Sequence, residues 1–136
     1  MAPGSPMYKV LVVATDPASA RDMRSGLESS GFDVIVGHGG SLGLDIADSQ
    51  SPDAIVVRDT PSELDGFEFC NVLHNLFNLP LILVGDKPRT NVYSVLEAAD
   101  DYVEAPISYR ELAARINTLL WRYGKAKSPQ WHDGSN

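Results

Sequence analysis

What most limits this chain is the order of its apolar runs. Tyr8-Lys9-Val10-Leu11-Val12-Val13, Phe32-Asp33-Val34-Ile35-Val36, Ala54-Ile55-Val56-Val57 and Leu79-Pro80-Leu81-Ile82-Leu83-Val84 are short and aliphatic. Three of them are nearly unbroken, the pattern of strands covered on both faces of a parallel sheet. Asp101-Tyr102-Val103-Glu104 is a weaker fifth.

Segments of helical spacing lie between these runs. Met23 and Leu27 sit four apart within Ala18 to Ser30, and Gly31 is placed to stop that helix. Leu42, Leu44, Ile46 and Ala47 follow Ser41 and give a second helix that ends before Pro52. Phe67, Cys70, Val72, Leu73, Leu76 and Phe77 crowd one side of a third, which Pro80 bars from continuing. Val92, Val95, Leu96 and Ala99 mark a fourth. Ser108 suits an N-cap, with Glu111 completing a capping box, and Leu112, Ile116, Leu119 and Leu120 recur behind it. Five strands alternating with five helices predict an α/β domain, a parallel sheet with helices on both faces. Such sheets bind ligands beyond the carboxyl ends of their strands, so chemistry is expected just after each apolar run.

The 136 residues suit one domain with its own core. We place a disordered leader at 1–7, the folded domain at 8–123, and a linker or tail at 124–136, where Gly124-Lys125-Ala126-Lys127-Ser128-Pro129 breaks the helical pattern. A net charge of −7 argues against this segment gripping a nucleic-acid backbone by itself, which takes a basic stripe. One cysteine, Cys70, excludes an internal disulfide and suits a reducing compartment. No run approaches the roughly 20 apolar residues that cross a bilayer, and Met1 to Pro6 make no signal peptide. The expected location is the cytoplasm. His38, His74 and His132 lack metal-ligand spacing. Gly37, Gly39 and Gly40 lack the pattern and lysine of a phosphate loop, so a strand-to-helix turn suffices. Neither metal nor cofactor is expected, and Trp131 has no sequence account.

Several motifs together are specific. Lys9-Val10-Leu11-Val12-Val13, Pro52-Asp53-Ala54-Ile55-Val56-Val57, Leu64-Asp65-Gly66-Phe67-Glu68, Pro80-Leu81-Ile82-Leu83-Val84 and Ala99-Asp100-Asp101-Tyr102-Val103 resemble the receiver domains of two-component response regulators. The likeness runs from about Tyr8 to Arg122. It implies a flavodoxin-like (βα)5 fold, a doubly wound five-stranded sheet of order 2-1-3-4-5. The stretch from Pro106 through Glu111 and Arg115 to Arg122 is similar to the last receiver helix of winged-helix transcription regulators of the OmpR/PhoB type. In that type a linker and a DNA-binding domain follow the receiver.

A working receiver, as the resemblance implies, holds magnesium on an acid pair after the first strand and is phosphorylated on an aspartate after the third. It also places a hydroxyl residue after the fourth strand and a lysine before the proline after the fifth. Mg²⁺ takes hard oxygen ligands, and metal and lysine neutralise charge on the transferred phosphoryl group. Here the acid pair falls on Ala14 and Thr15, with only the following Asp16 acidic. The acceptor, six residues after Pro52 and eight before Gly66, is Arg58. The hydroxyl position is Gly85 and the lysine position, directly before Pro106, is Ala105. Asp59 comes one residue late, on the opposite face of its strand, so it is a poor substitute.

These losses point to a phosphorylation-independent (atypical) receiver, not an enzyme, that signals by binding. Arg58 either pairs with Asp16 or Asp59 and locks one conformation, or is a partly exposed arginine with no signalling role. Tyr102 takes the position of the family's mobile aromatic, and opposite Gly85 it is expected to stay in one rotamer. Asp100, Asp101, Glu111 and Arg115 mark the face of the fourth helix, fifth strand and fifth helix, which in the resembling subclass forms a twofold homodimer. DNA would be met only through an effector domain outside this sequence, and no membrane contact is expected. The rival readings are a small-ligand sensor using space left by Ala14, Thr15, Gly85 and Ala105, a stand-alone protein-docking domain, and a receiver phosphorylated at Asp59.

Overall fold

The computed structural model describes residues 7–60, 63–86 and 92–125, with backbone alone at 92 and 93. The expected leader and tail lie almost wholly outside these residues, as do Trp131 and His132. The elements run β1 (Lys9–Ala14), α1 (Pro17–Ser29), β2 (Asp33–His38), α2 (Gly40–Gln50), β3 (Ala54–Arg58), α3 (Gly66–Leu76), β4 (Leu81–Gly85), α4 (Val92–Ala98), β5 (Asp101–Glu104) and α5 (Tyr109–Arg122). All strand pairs are parallel and the order is β2-β1-β3-β4-β5, as the alternation and the resemblance predict.

Alternation along each strand divides the core in two. Val10, Val12 and Ala14 of β1 join Val56, Ile82 and Val84 under α1 and α5. Leu11 and Val13 join Ile55, Val57, Leu81 and Leu83 under α2, α3 and α4. Both sets are buried, and each Val, Leu or Ile side chain among them contributes roughly 1.5–3 kcal/mol on leaving water. The same parity decides the rim. Arg58 continues the Val56 side toward α1 and α5, and Asp59 turns to the other side.

The element ends show why neighbouring residues take different roles. Pro80 does not extend β4, because it has no N–H for the ladder, yet its carbonyl accepts from Ile55 N at 2.9 Å. Gly31, at φ +95, stops α1 as expected. Gly39 takes φ +100 at the turn into α2, whereas Gly43 answers to packing: a Cβ there would stand 2.9 Å from Val13 Cγ2, so α2 lies against β1 only because that side chain is missing. Ser108 caps α5, accepting from Glu111 N at 3.3 Å. The capping box is half made, since Glu111 turns its carboxylate to Arg115. The far end of α5 is tied down twice. Tyr8 Oη donates to the Lys125 carbonyl at 3.0 Å, and Tyr123 Oη donates to the Asp100 carboxylate at 3.0 Å.

Candidate functional site

The loops leaving β1, β3, β4 and β5 meet at one end of the sheet, and Ala14, Thr15, Asp16, Arg58, Gly85 and Ala105 lie there. Ala14 is fully buried in the core beneath α1 and α5. Thr15 and Thr60 join hydroxyls at 3.0 Å, and Thr15 donates to Glu63 Oε2 at 3.0 Å. With one hydroxyl proton each, the direction is Thr60 to Thr15 to Glu63. A hydrogen-bonded chain that ends on a carboxylate thus joins the β1 and β3 loops. Asp16 is the N-cap of α1, ahead of Pro17, and accepts from Ser19 N at 3.1 Å and Ser19 Oγ at 2.9 Å. Those two bonds hold its carboxyl below the usual carboxylate range.

Arg58 pairs with neither Asp16 nor Asp59, contrary to one of the two readings the sequence allows. Its Nη2 donates to Asp86 Oδ1 at 2.6 Å, and Nη1 lies 3.4 and 3.5 Å from the carbonyls of Asp59 and Val84. The reason is register: Arg58 pairs with Val84 across the β3–β4 ladder, so Asp86 leaves the sheet beside it. Asp16 is committed to its helix and Asp59 faces the other side. Only 5% exposed, Asp59 accepts from Gly66 N at 2.8 Å at the start of α3.

Gly85 is covered by the ring of Tyr102, reaching along the sheet from β5. Ala105 borders a cleft of about 280 Å³ shared with Ser19, Asp22, Met23, Arg58, Pro106 and Ile107. Of the four residues expected to leave open space, only Ala105 lines it. Ala14 is sealed in the core, Thr15 is engaged and Gly85 is roofed.

The acids and arginine of the fourth helix, fifth strand and fifth helix are also organised within the chain. Arg115 Nη1 meets Asp101 Oδ2 at 2.7 Å, and its Nε and Nη2 reach Glu111 Oε2 at 3.1 and 3.0 Å. The bond to Asp101 leads in raising the Arg115 pKa. Asp100 accepts from Leu81 N at 2.9 Å as well as from Tyr123, whose phenol is pushed up to about 12 by burial and by that carboxylate. Cys70 is buried, while His38 and His74 are exposed.

These groups do not fit a divalent cation. Among the described residues, no group of three or more His, Cys, Asp and Glu is placed to hold a metal ion. The Thr60 carbonyl accepts from both Glu63 N and Leu64 N, and a guanidinium stands where a carboxylate ligand would be needed.

The sequence matches no model of a known protein family. Among curated relatives, the alkaline phosphatase synthesis transcriptional regulatory protein PhoP of Bacillus subtilis is 33% identical over 117 residues, covering 84% of this chain and 49% of PhoP. The heme response regulator HssR of Staphylococcus aureus is 32% identical over 123 residues, covering 86% of this chain and 53% of HssR. A solved structure, the receiver domain of Francisella response regulator 1452, superposes with a TM-score of 0.75 at 29% identity, covering 85% of this chain and 98% of that one. This chain is a response-regulator receiver domain. The receiver spans about half the length of the curated relatives it matches.

Sequence reasoning missed three groups at the receiver's rim: Asp86, Thr60 and Glu63. Thr60 and Glu63 follow Arg58 closely, and their polar character near a strand end was a usable signal. Asp86 was legible only through the β3–β4 register. No described helix is long and apolar enough to cross a membrane.

Proposed function

We propose that this receiver signals without being phosphorylated, as the binding and dimerisation module of a DNA-binding transcription regulator. The observation that carries the reading is the Arg58–Asp86 pair, a guanidinium held at the position where the family's acceptor carboxylate stands. Two further features support it. The Thr60–Thr15–Glu63 chain links the loops that a bound cation would otherwise bridge, and buried Asp59 is engaged with Gly66 N. The transcription-regulator part of the reading rests on the OmpR/PhoB-like resemblance and on PhoP, named as a transcriptional regulatory protein.

The test is incubation with acetyl phosphate and Mg²⁺, followed by intact-protein mass spectrometry. No phosphoryl adduct is expected. An adduct that disappears in Asp59→Ala would overturn the reading. We further propose a twofold homodimer on the α4–β5–α5 face, formed without phosphodonor. Sedimentation over a wide concentration range should show it weakened by Arg115→Glu, because twofold symmetry repeats the new repulsion. A wild type that stays monomeric at its solubility limit removes the dimer.

The cleft beside Ala105 favours one second reading, a small-ligand sensor. Thermal shift against a metabolite collection tests it, since a ligand of the native state raises the melting point. No shift with any compound counts against it.

A further inference from the structure

We propose that the cleft beside Ala105 is a site for a small zwitterion, a free amino acid whose carboxylate meets Arg58 and whose ammonium meets Asp22. This inference rests on the small-ligand reading above and names the chemistry of the ligand.

The two opposite charges line the same cleft but do not pair with each other. Arg58 spends Nη2 on Asp86, and its Nη1 contacts with two carbonyls are long, at 3.4 and 3.5 Å. Its Nε–H makes no hydrogen bond among the described residues. Since no buried side-chain nitrogen among them lacks a partner, that donor is open to solvent. Asp22 accepts one bond, from Tyr109 Oη to Oδ2 at 2.6 Å, which leaves Oδ1 unused.

The Asp22 carboxylate is held in place. One turn along α1, the Tyr109 ring lies against Gly26, where a Cβ would collide with it, and this fixes the phenol beside Asp22. Burial and then the bond to Asp22 push the phenol pKa up, so Tyr109 remains a donor at neutral pH. The Arg58 charge acts on it in the opposite direction, so the guanidinium is felt at the Asp22 end of the cleft.

The walls divide the same way. Ser19 and Asp22 stand three apart on α1, with Met23 four from Ser19, so one helix face supplies all three. Ser19 Oγ donates to Asp16, which leaves its lone pairs for an ammonium N–H. Met23, Pro106 and Ile107 give an apolar wall for a side chain. At about 280 Å³ the cleft is at the small end of ligand sites, the size for a metabolite and not for a large cofactor. An anion alone would also face Asp22, and a cation alone would also face Arg58. A molecule carrying both signs meets each with a charge-assisted hydrogen bond and suffers neither repulsion.

The test is calorimetric titration of the protein with the common amino acids. Each is compared with its amide, which lacks the carboxylate, and its deaminated acid, which lacks the ammonium. At least one amino acid with an apolar side chain should bind, and both of its analogues should bind at least about tenfold more weakly. Arg58→Met and Asp22→Asn, each confirmed folded by its thermal transition, should show losses of the same size. No binding by any amino acid at its solubility limit overturns the proposal, as does binding that survives removal of either ligand charge. An amino acid held equally well by both variants sits elsewhere and also overturns it. If either variant fails to fold, the two analogues decide the matter on wild type. A compound lacking one of the two charges that shifts the melting of wild type but not of Arg58→Met keeps the sensor reading and overturns the zwitterion. No shift with any compound removes both.

Discussion

Two arginines make carboxylate pairs of nearly equal length in different parts of this molecule, 2.6 Å for Arg58–Asp86 and 2.7 Å for Arg115–Asp101. Their surroundings differ more than their distances. The Arg58 side chain is only 12% exposed, while its partner Asp86 is 65% exposed. Arg115 is 40% exposed but is held by two acids, one on β5 and one on its own helix. Losing Arg58 would leave a solvated carboxylate behind, so the pair itself contributes little. Placing an acid there would instead bring negative charge under Asp86 and beside two carbonyls. Arg115 gathers two negative charges onto one cation, so its contribution is spread and each bond is dispensable. Length alone therefore says nothing about which pair constrains the domain.

The largest effect should come from Arg58→Asp, which forces like charges together in a mostly buried place. We expect a loss of about 1–3 kcal/mol in urea unfolding and no gain of phosphorylation. Arg58→Met, keeping the apolar stem, should lose less than about 1 kcal/mol. If Arg58→Asp melts above wild type, the contrast between the two arginines collapses.

Next in size is Thr15→Val, which removes the centre of the Thr60–Thr15–Glu63 chain. A loss of about 0.5–1.5 kcal/mol is expected, with faster amide exchange in the β1 and β3 loops together. Exchange changing in the β1 loop alone would mean that the hydroxyls do not couple them.

Smaller still is Arg115→Ala, at about 0–1 kcal/mol, since both partners are left in contact with water. Its effect should shrink in high salt. A loss above about 2 kcal/mol would place Arg115, not Arg58, as the constraining charge.

The smallest effect at neutral pH belongs to Tyr123→Phe. The fold raises the Tyr123 phenol from 10.0 to about 12, so it favours the protonated form. That contribution is fully present below pH 10 and is lost as the pH climbs through 12. Wild type should therefore lose its advantage over Tyr123→Phe across that window, and a constant difference from pH 8 to 12 would contradict the assignment.

Much of the fold was legible because each buried strand is written in adjacent aliphatic residues. Val10 to Val13 and Leu81 to Val84 need no partner information to be recognised as strands. The strand ends were less legible: β2 runs on through Gly37 to His38, which carry no apolar signal. At the rim, the positions Arg58, Gly85 and Ala105 could be read from spacing, but their partners could not. The sequence offered Asp16 as a partner for Arg58, although Asp-Pro followed by Ser19 is also the signature of a helix start. Arg58 found Asp86, 28 residues away, through the pairing of β3 with β4, information carried by the sheet and not by local sequence. The charges of the α4–β5–α5 face were read as reaching outward, whereas Arg115 meets both its acids at home, because β5 delivers Asp101 to the side of α5.

The ring over Gly85 also bears on how such a domain could change over generations. A mutation that placed threonine at 85 would meet Tyr102, and one that placed aspartate at 58 would meet Asp86. Under the proposed function, each step toward phosphotransfer, taken alone, should make the protein less stable before it gains any chemistry. Selection sees the loss first, so the route back requires neighbouring changes to arrive together. Under that reading, packing would act as a ratchet, and a lineage could enter such a state more easily than leave it.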